Sequence, residues 1–426
     1  MNYPAKDVVA VVGLGYVGLP TAMSLVESGK KVIGFDISVD RLTRIASCDV
    51  DLSSEDLGRL TSAIESGKLE LTIDTSRLPE AEAVIICVPT PVDESMAPDF
   101  TAIHGACATV VERACPGQTI ILTSTTYVGS TRDLIVEPLA ARGLVAGSDV
   151  FVAFSPERID PGVSAHTPLT TPRVVGGATP ACTERATAVL AATAAAVHTV
   201  SSPDAAEMAK LLENTFRAVN IAFANEFAEI AEGLDLSIGE VIDAAATKPY
   251  GFMRFTPGPG VGGHCIPCDP HYLLWQLRRG RQTAPITEIA MRGIAQRPSV
   301  IVDKVRTRLA NTGKPLDGAR VHVVGVAYKP GVADVRESPA LEIMSEMIRA
   351  GALVTYSDSH VPSVTIDGKR IPPSSSEAAE SADLILIHTI HPGETDWWTA
   401  FSEVNGRPQV LDVTYRSEPH INANAS

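Results

Sequence analysis

The sequence is short of three features that would each point to a class of protein. It has 35 Lys and Arg against 50 Asp and Glu, a net charge of −15, so it lacks the basic surface that binds nucleic-acid phosphates. Its longest uncharged stretch, 186–203, is rich in Ala and Thr and too weakly hydrophobic to span a membrane. Its seven cysteines, an odd number spread along the chain, do not look like a disulfide framework. We therefore expect a cytoplasmic protein of two or three domains with neither nucleic acid nor membrane as a partner.

The order of apolar patterns predicts an α/β protein. In the first half, β-branched runs typical of strands occur at 8–12, 31–36, 83–88, 119–123, 150–154 and 196–200. Helical patterns alternate with them at 20–28, 39–46, 54–67, 100–113, 130–140 and 180–192. This alternation is typical of βαβ units and a parallel sheet.

The middle of the chain has a different pattern. Residues 204–232 contain no Gly or Pro and predict one helix of roughly 43 Å. Its apolar residues predict a buried face: Met208, Leu211, Leu212, Val219, Phe223, Phe227 and Ile230. A helix at 237–246, an irregular Gly/Pro-rich segment at 256–270 and a helix at 283–309, interrupted near Pro298, are expected to follow.

After a linker at Gly313 the βα pattern returns. Strands are expected at 320–326, 353–357, 384–388 and 409–413, and helices at 338–350 and 375–381. The sequence thus predicts three domains: 1–201, a helical domain at 202–312, and 313–426.

A glycine loop follows the first predicted strand and opens the first predicted helix. It reads Gly13, Leu14, Gly15, Tyr16, Val17, Gly18. This G-x-G-x-x-G spacing allows a tight turn, close approach of backbone to a pyrophosphate, and close packing of helix and strand. The next strand ends at Asp36, where a carboxylate can hold ribose hydroxyls and would repel the 2′-phosphate of NADP. The loop therefore predicts an NAD site in a Rossmann-like domain. Arg41 either reaches the adenosine side of that site or is a solvated helix charge.

The segment 256–270 contains Cys265 and Cys268 in a C-x-x-C pair. A zinc site would need two more ligands, and neither a second C-x-x-C nor paired histidines accompanies it. A redox pair would be expected in an early βαβ unit. A structural loop is a third interpretation. We favour a fourth, a nucleophilic Cys265 beside Asp269, which can act as a base or position one.

Lys210, Asn214 and Arg217 are spaced to share one face of the long predicted helix. A lysine in such a place is often simply solvated. If the face lines a cleft, Lys210 and Asn214 could instead donate hydrogen bonds to an oxygen that gains negative charge during a reaction.

Taken together, these motifs resemble the nucleotide-sugar 6-dehydrogenases, the family that oxidises UDP-glucose, GDP-mannose and UDP-N-acetylhexosamines. The resemblance covers about residues 7–416. Besides the glycine loop with Asp36, the matching motifs are Val88-Pro89-Thr90-Pro91, Ser124-Thr125, Ser155-Pro156-Glu157-Arg158, Lys210-x-x-x-Asn214, Gly262-Gly263-His264-Cys265-Ile266-Pro267 with Asp269, and Tyr328-Lys329-Pro330 followed by Asp334-Val335-Arg336-Glu337-Ser338-Pro339. The fold that it implies has two Rossmann-like parallel-sheet domains joined by a long central helix and a helical middle domain.

The resemblance implies oxidation of the sugar's C6 hydroxymethyl to a carboxylate with two NAD+ per turnover. Cys265 would form a thiohemiacetal and then a thioester, and Lys210 and Asn214 would stabilise the negative oxygen. Asp269 and Thr125 would hold a water that relays protons, and Glu157 would assist hydrolysis.

The resemblance also assigns binding residues and partners. Those implied for NAD are the glycine loop, Asp36, Arg41, Thr90, Thr125 and Arg336. Those implied for the UDP-sugar are Glu157, Arg158, Lys210, Asn214, Arg217, Arg254, Phe255, Gly258, Gly262 and Lys329. No metal is implied. The C-terminal domain would hold the UDP end, the long helix would form a homodimer or higher oligomer, and the product would enter polysaccharide biosynthesis.

Departures from the UDP-glucose enzymes point to a different sugar. Cys268 stands where those enzymes commonly have Lys, and Arg158 follows Glu157 where they have Phe. With His264, these residues favour the branch acting on UDP-N-acetylated sugars, and Ile266-Pro267 favours the glucosamine epimer. UDP-N-acetylmannosamine and UDP-glucose remain alternatives. So do a two-electron hydroxy-acid dehydrogenase, which needs no cysteine, and a non-catalytic nucleotide-binding protein.

Overall fold

The computed structural model describes residues 7–50, 52, 54–93, 95–158, 170–263, 265–398 and 408–415. His264, on which part of the sugar assignment depends, lies outside these ranges. Contacts divide the chain into two compact units. One comprises the chain up to Glu213 together with His271–Gln282, and the other comprises Asn214–Pro270 and the chain from Thr283 onward.

The first unit is built on an eight-stranded sheet. Its strands are β1 (Val8–Val12), β2 (Lys31–Phe35), β3 (Leu69–Thr72), β4 (Ala83–Ile86), β5 (Thr119–Leu122), β6 (Phe151–Phe154), β7 (Arg173–Gly177) and β8 (Val197–Val200). The spatial order is β3-β2-β1-β4-β5-β6-β7-β8, parallel except for the β6–β7 pair. Because the chain leaves β1 toward β2 and later returns to place β4 on the other side, the switch point lies at the carboxyl ends of β1 and β4.

Helices cover this sheet. They are α1 (Gly18–Glu27), α2 (Val39–Ala46), α3 (Ser54–Glu65), α4 (Thr101–Arg113), α5 (Glu137–Ala141) and α6 (Pro180–Leu190), with a π-helical turn Arg132–Val136 before α5 and 3₁₀ turns Thr75–Glu80 and Ala191–Thr193. Two clusters of fully buried aliphatic residues fill the space on the two faces of the sheet, which is typical of a strand set buried on both sides.

The second unit contains a smaller sheet. Strands β9 (Arg320–Val324), β10 (Leu353–Ser357), β13 (Leu384–Ile387) and β14 (Gln409–Asp412) pair in parallel in the order β10-β9-β13-β14, and β11 (Val364–Ile366) and β12 (Lys369–Ile371) form a hairpin. Its helices are α8 (Ile238–Ala246), α10 (Pro285–Asn311), α11 (Pro339–Arg349) and α12 (Ser376–Glu380). The predicted α/β class with two parallel-sheet regions is confirmed. Among the described residues, no helix is both long enough and apolar enough to cross a bilayer.

Two helices pass from one unit to the other along the chain: α7 (Pro203–Gly233) and α9 (Asp269–Arg279). The long helix predicted at 204–232 is confirmed as α7, but the prediction that its apolar face is buried is wrong. Most of that face is exposed, with Leu212 at 62% and Phe223 at 54%, whereas Leu211 is fully buried.

A further difference concerns Pro298. The sequence predicts an interruption there, but α10 runs through it without a break. Proline removes one backbone hydrogen bond from a helix interior. Here Arg297, Pro298, Ile301 and Val302 are all buried, and this packing holds the helix together across the missing bond.

Candidate active site

The glycine loop forms the link between β1 and α1. The Gly13 N–H donates to the carbonyl of Phe35 at 2.8 Å, and Gly13 has φ +89°, which a side chain would strain. A Cβ on Gly18 would lie 1.8 Å from the carbonyl oxygen of Gly13, so only glycine lets α1 approach the loop so closely. Around Gly15 a Cβ would meet nothing within 4 Å. That open space is what a pyrophosphate needs.

The start of α1 suits a phosphate as well. Its N-cap residue, Val17, makes no side-chain capping bond, and the first turn contains no acidic residue. Tyr16 is 44% exposed. The positive end of the helix dipole is therefore not neutralised by the helix's own side chains.

Asp36 lies directly after β2, as predicted. One carboxylate oxygen accepts the Leu14 N–H at 2.9 Å and the other accepts the Ser38 N–H at 2.9 Å. Arg41 lies against the same loop, because its Nε donates to the Leu14 carbonyl at 2.9 Å. Burial lowers the pKa of Arg41. Asp36 and Arg41 thus brace the glycine loop, and a carboxylate with two bonds still has lone pairs for ribose hydroxyls.

Thr90 and Thr125 follow neighbouring strands of the first sheet. Ser124 joins the two loops, since its Oγ accepts the Val88 N–H at 2.9 Å and its hydroxyl donates to the Val88 carbonyl at 2.8 Å. Both threonines are half-buried and follow β4 and β5 at the carboxyl edge of the sheet, on the side of the switch point. The residues present therefore fit a dinucleotide.

Glu157 lies three residues after β6 and is tied to two other groups of the first unit. Its carboxylate pairs with Arg173 at 2.5 Å, and its main-chain carbonyl accepts a bond from Lys210 Nζ at 2.8 Å. Lys210 is 9% exposed, which excludes the alternative that its side chain is simply solvated. Arg158 pairs with Glu213 of α7.

Arg173 was missed by the sequence analysis. Arg173 is the first residue of β7, and the rest of that strand is apolar. Its side chain is only 5% exposed. A buried arginine requires an acidic partner, and this ion pair holds the Glu157 side chain in one orientation. Nothing in the local sequence pairs two residues 16 positions apart.

The cysteine loop belongs to the second unit. The Cys265 carbonyl accepts the N–H groups of Cys268 at 3.3 Å and Asp269 at 2.8 Å, so Cys265 starts the turn that leads into α9. Cys265 is exposed, whereas Cys268 is buried at 3%.

Asp269 and Asn214 meet in the same unit. The Asn214 side-chain amide donates to the Asp269 carboxylate, and both residues are at most 5% exposed. Arg217, predicted on the same helix face as Lys210 and Asn214, is exposed.

Two of the residues expected to bind a UDP-sugar, Gly258 and Gly262, lie in an irregular loop of the second unit. The Gly258 N–H donates to Asn225 Oδ1 at 2.9 Å, and the Gly258 carbonyl accepts from Arg297 Nε at 2.8 Å. A Cβ on Gly262 would lie 2.6 Å from the Cβ of Tyr328, the neighbour of Lys329. The loop thus packs against the Tyr328-Lys329 turn.

Three other expected binding residues lie nearby in this unit. Arg254 is exposed and pairs with Asp243. The ring of Phe255 contacts that of Phe216 edge to face, with the ring centroids 5.8 Å apart. Arg336 pairs with Asp334 at 2.5 Å, and its carbonyl accepts the Gly263 N–H at 3.1 Å.

The expected site residues are therefore divided between the units. The first unit contains Gly13, Gly15, Tyr16, Val17, Gly18, Asp36, Arg41, Thr90, Thr125, Glu157, Arg158 and Lys210. The second contains Asn214, Arg217, Arg254, Phe255, Gly258, Gly262, Cys265, Asp269, Lys329 and Arg336.

One group of side chains in the described ranges has the composition of a metal site. Potential ligand atoms of Asp358, His360 and His391 lie within 4.8 Å of one another. However, His391 Nδ1 accepts the Gly331 N–H at 3.0 Å, so in the neutral ring the proton is on Nε2, which faces Asp358 at 3.1 Å. A metal-binding histidine needs a lone pair on that nitrogen. The geometry fits a histidine–carboxylate contact rather than a metal centre.

Models of one protein family match all three parts of the chain. They are described as the UDP-glucose/GDP-mannose dehydrogenase family NAD binding domain, central domain and UDP binding domain, and they match residues 7–194, 204–293 and 322–416, respectively.

Individual relatives agree with these models. Protein CapL of Staphylococcus aureus is 37% identical over 82% of this chain and 81% of its own, and the UDP-N-acetyl-D-mannosamine dehydrogenase of Escherichia coli K12 is 32% identical over 93% and 95%. A UDP-D-ManNAc dehydrogenase structure from Pyrococcus horikoshii has a TM-score of 0.86 at 32% identity and covers 97% of each chain. The chain therefore belongs to the UDP-glucose/GDP-mannose dehydrogenase family and is an NAD-dependent nucleotide-sugar dehydrogenase.

Proposed function

We propose that the chain oxidises the C6 hydroxymethyl group of a UDP-N-acetylhexosamine to the carboxylate in two successive steps. The observation that carries this proposal is the turn that leads into α9, where an exposed Cys265 precedes the buried carboxylate of Asp269 by four residues. A two-electron oxidation of an alcohol needs no cysteine. A thiol becomes useful when an aldehyde has to be oxidised further, because its adduct can lose a second hydride.

The first unit supplies the cofactor site. When bound, NAD+ accepts the electron pair and one hydrogen of each oxidation step. The glycine loop and the N-terminus of α1 hold the pyrophosphate, and Asp36 holds the ribose. We assign further NAD contacts to Tyr16, Val17, Arg41, Thr90, Thr125 and Arg336.

The chain's own groups perform the acid–base and covalent chemistry. The Cys265 thiolate adds to the aldehyde formed in the first oxidation, and the resulting thiohemiacetal becomes a thioester in the second. Water then cleaves the thioester, which releases the uronate and restores the thiol. Asp269 and Thr125 hold a water that moves protons, and Glu157, fixed by its pair with Arg173, assists hydrolysis.

Oxygen atoms of the substrate gain negative charge during these steps. Lys210 and Asn214 are both buried and carry N–H donors one helical turn apart on α7. Donors fixed in advance stabilise an oxyanion without reorganising as the charge develops. We assign that role to this pair.

The remaining substrate contacts are assigned to the UDP-sugar. They are Glu157, Arg158, Arg217, Arg254, Phe255, Gly258, Gly262 and Lys329. In this scheme residues 1–201 bind NAD, 202–312 form the central domain with the cysteine loop, and 313–426 bind the UDP end. The enzyme acts in the cytoplasm in a route to polysaccharide precursors.

The sugar epimer is the finer part of the proposal. Ile266-Pro267 favours UDP-N-acetylglucosamine, whereas the names of the E. coli and P. horikoshii relatives favour UDP-N-acetylmannosamine. Both epimers therefore belong in the test. UDP-glucose, whose enzymes commonly carry Lys where this chain has Cys268, serves as the third substrate.

The test measures NADH formed per nucleotide sugar consumed, with each of the three UDP-sugars. We expect a ratio near two with one UDP-N-acetylhexosamine and slow turnover of UDP-glucose. A ratio near one would overturn the proposal in favour of a two-electron dehydrogenase. Measurable binding of NAD and UDP-sugars without NAD reduction would favour a non-catalytic protein.

A further inference from the structure

The last part of the connection between β5 and the π-helical turn, residues 128–131, is held by side chains from two separate helices. Glu207 of α7 accepts the N–H of Gly129 at 2.5 Å, the N–H and hydroxyl of Thr131 at 2.9 and 2.7 Å, and the hydroxyl of Ser130 at 2.8 Å. All of these groups lie in the first unit.

The second contact comes from α9. Gln276 Oε1 accepts the Val128 N–H at 3.0 Å, and Gln276 Nε2 donates to the Val128 carbonyl at 2.7 Å. One primary amide thus satisfies both backbone groups of the residue immediately before Gly129. Trp275, the neighbour of Gln276, packs against Tyr127 with ring centroids 5.6 Å apart.

Burial removes the Glu207 carboxyl group from water, so the carboxyl group depends on hydrogen bonds from the protein. The side chain is 1% exposed, and desolvation raises the pKa of its carboxyl group while four bonds from the segment act to lower it. The carboxylate also lies at the N-terminus of the helical stretch that continues into α5, where negative charge is favoured. A carboxylate with these bonds fixes the backbone at 129–131 relative to α7.

The same part of α7 carries a proposed catalytic group. Lys210, one helical turn after Glu207, donates to the Glu157 carbonyl. Thr125 lies three residues before Val128, in the same connection between β5 and the π-helical turn. Glu207 therefore contacts the backbone that follows Thr125 and lies one helical turn from Lys210, although the catalytic scheme gives it no chemical step.

We propose that Glu207 and Gln276 are positioning residues that hold Thr125 in the geometry required for proton transfer. This inference rests on the proposed function, because it presupposes that Thr125 takes part in turnover. It accounts for the buried carboxylate of Glu207 and the bidentate amide of Gln276, whose hydrogen bonds go to residues that are not assigned to NAD or to the UDP-sugar.

The experiment compares Glu207→Gln, Thr125→Ala and the double variant in the holoenzyme. Glu207→Gln keeps the shape of the side chain but removes the charge, and we expect kcat to fall about 100-fold, as small misplacements of a reacting group produce. The KM values for NAD and for the UDP-sugar should change little. In the Thr125→Ala background the same substitution should lower kcat by less than about threefold, since residues that act through one another are not additive.

Gln276→Leu provides a second test from the opposite side of the segment, should Glu207→Gln fail to fold. In the Thr125→Ala background, Gln276→Leu should likewise change kcat only slightly. Glu184→Gln, at an exposed position of α6, is the matched control for loss of a glutamate charge and should retain normal kcat.

Two results would overturn the inference. The first is an equal fall in kcat whether or not Thr125 is present, which would mean that Glu207 does not act through Thr125. The second is an unchanged kcat in Thr125→Ala. Failure of the proposed function would look different, because the wild-type enzyme itself would form one NADH per sugar or none.

Discussion

The Asn214 side chain donates a hydrogen bond to the carboxylate of Asp269, joining α7 to the first residue of α9. Both side chains are buried, so this bond is shielded from water. A neutral donor on the carboxylate orients it without adding a positive charge. The proposed mechanism uses this oriented carboxylate to accept a proton from a water molecule.

Asp269→Asn should abolish this base without changing the size of the side chain. We expect kcat to fall about 10²- to 10⁴-fold, the range that a positioned acid–base group contributes. The KM for NAD should stay close to that of the wild type. Steady-state NADH formation measures both parameters. Asp303→Asn, at an exposed position of α10, controls for loss of one acidic residue, and a normal kcat in Asp269→Asn would remove this residue from the mechanism.

The two cysteines of the C-x-x-C pair should behave oppositely. Cys265→Ser replaces the nucleophile with a far weaker one, so no uronate should form. Cys268→Ser alters a side chain that is 3% exposed and should affect thermal stability more than kcat. Product analysis by mass spectrometry, with a melting curve for each variant, separates the two effects. If Cys268→Ser abolished activity as fully as Cys265→Ser while remaining folded, the single-nucleophile assignment would be wrong.

How well the sequence predicted the structure depended on how local each signal was. The glycine loop and Asp36 are encoded by short spacings, and both lie where they were expected. Strand β7 was missed because it begins with Arg173 and pairs antiparallel with β6, a partner that nothing nearby in the sequence specifies. Helix α9 was missed because a Gly/Pro-rich loop runs directly into it, although Pro270 is compatible with a first helical turn.

The candidate site shows the same limit. Cys265, Asp269 and Asn214 were recognised from motifs, and the last two meet. Glu207 and Gln276 went unnoticed because their partners lie 78 and 148 residues away, and glutamate or glutamine on a helix is ordinarily a solvated residue. The exposed face of α7 was misjudged because apolar periodicity indicates a covered surface without indicating what covers it.

Asp36 should determine the choice of dinucleotide. Its carboxylate oxygens accept the N–H groups of Leu14 and Ser38, and a negative charge there disfavours a 2′-phosphate. Asp36→Asn should raise the KM for NAD by about tenfold, a modest loss for one charged hydrogen bond. The ratio of kcat/KM for NADP to that for NAD should increase. Equal effects on both dinucleotides would show that Asp36 acts only by bracing the glycine loop.

The exposed apolar face of α7 should form the dimer interface. Phe223 and Phe227 contact each other with ring centroids 4.6 Å apart and remain 54% and 41% exposed, an arrangement more typical of an interface than of a solvated surface. Phe223→Asp should shift the molecular mass measured by light scattering toward that of one chain. Asp235→Asn, beyond the end of α7, is the control and should leave the mass unchanged. A wild-type protein that is already a single chain would contradict the proposal directly.

Acid should destabilise the second α/β region through two buried histidines. Burial lowers the pKa of both His322 and His388 to about 4, whereas an unfolded histidine titrates near 6.5. The unfolded state therefore binds protons first, and the stability that these neutral rings contribute is complete above about pH 6.5 and is lost as the pH falls toward 4. Asp358, whose pKa is lowered to about 2 with its contact to His391 among the causes, retains its contribution throughout that range.

Urea unfolding of the wild-type protein should therefore show a lower midpoint at about pH 5 than at about pH 7.5. His322→Gln keeps a polar side chain near the hydroxyls of Thr355 and Ser357, which bond the two ring nitrogens at 2.9 and 3.0 Å, but it cannot titrate. We expect this variant to be less stable at both pH values and to lose part of the difference between them. His360→Gln, on the exposed side of the Asp358 loop, should keep the full difference. An equal pH dependence in the wild type and His322→Gln would show that the buried ring is not the group that titrates.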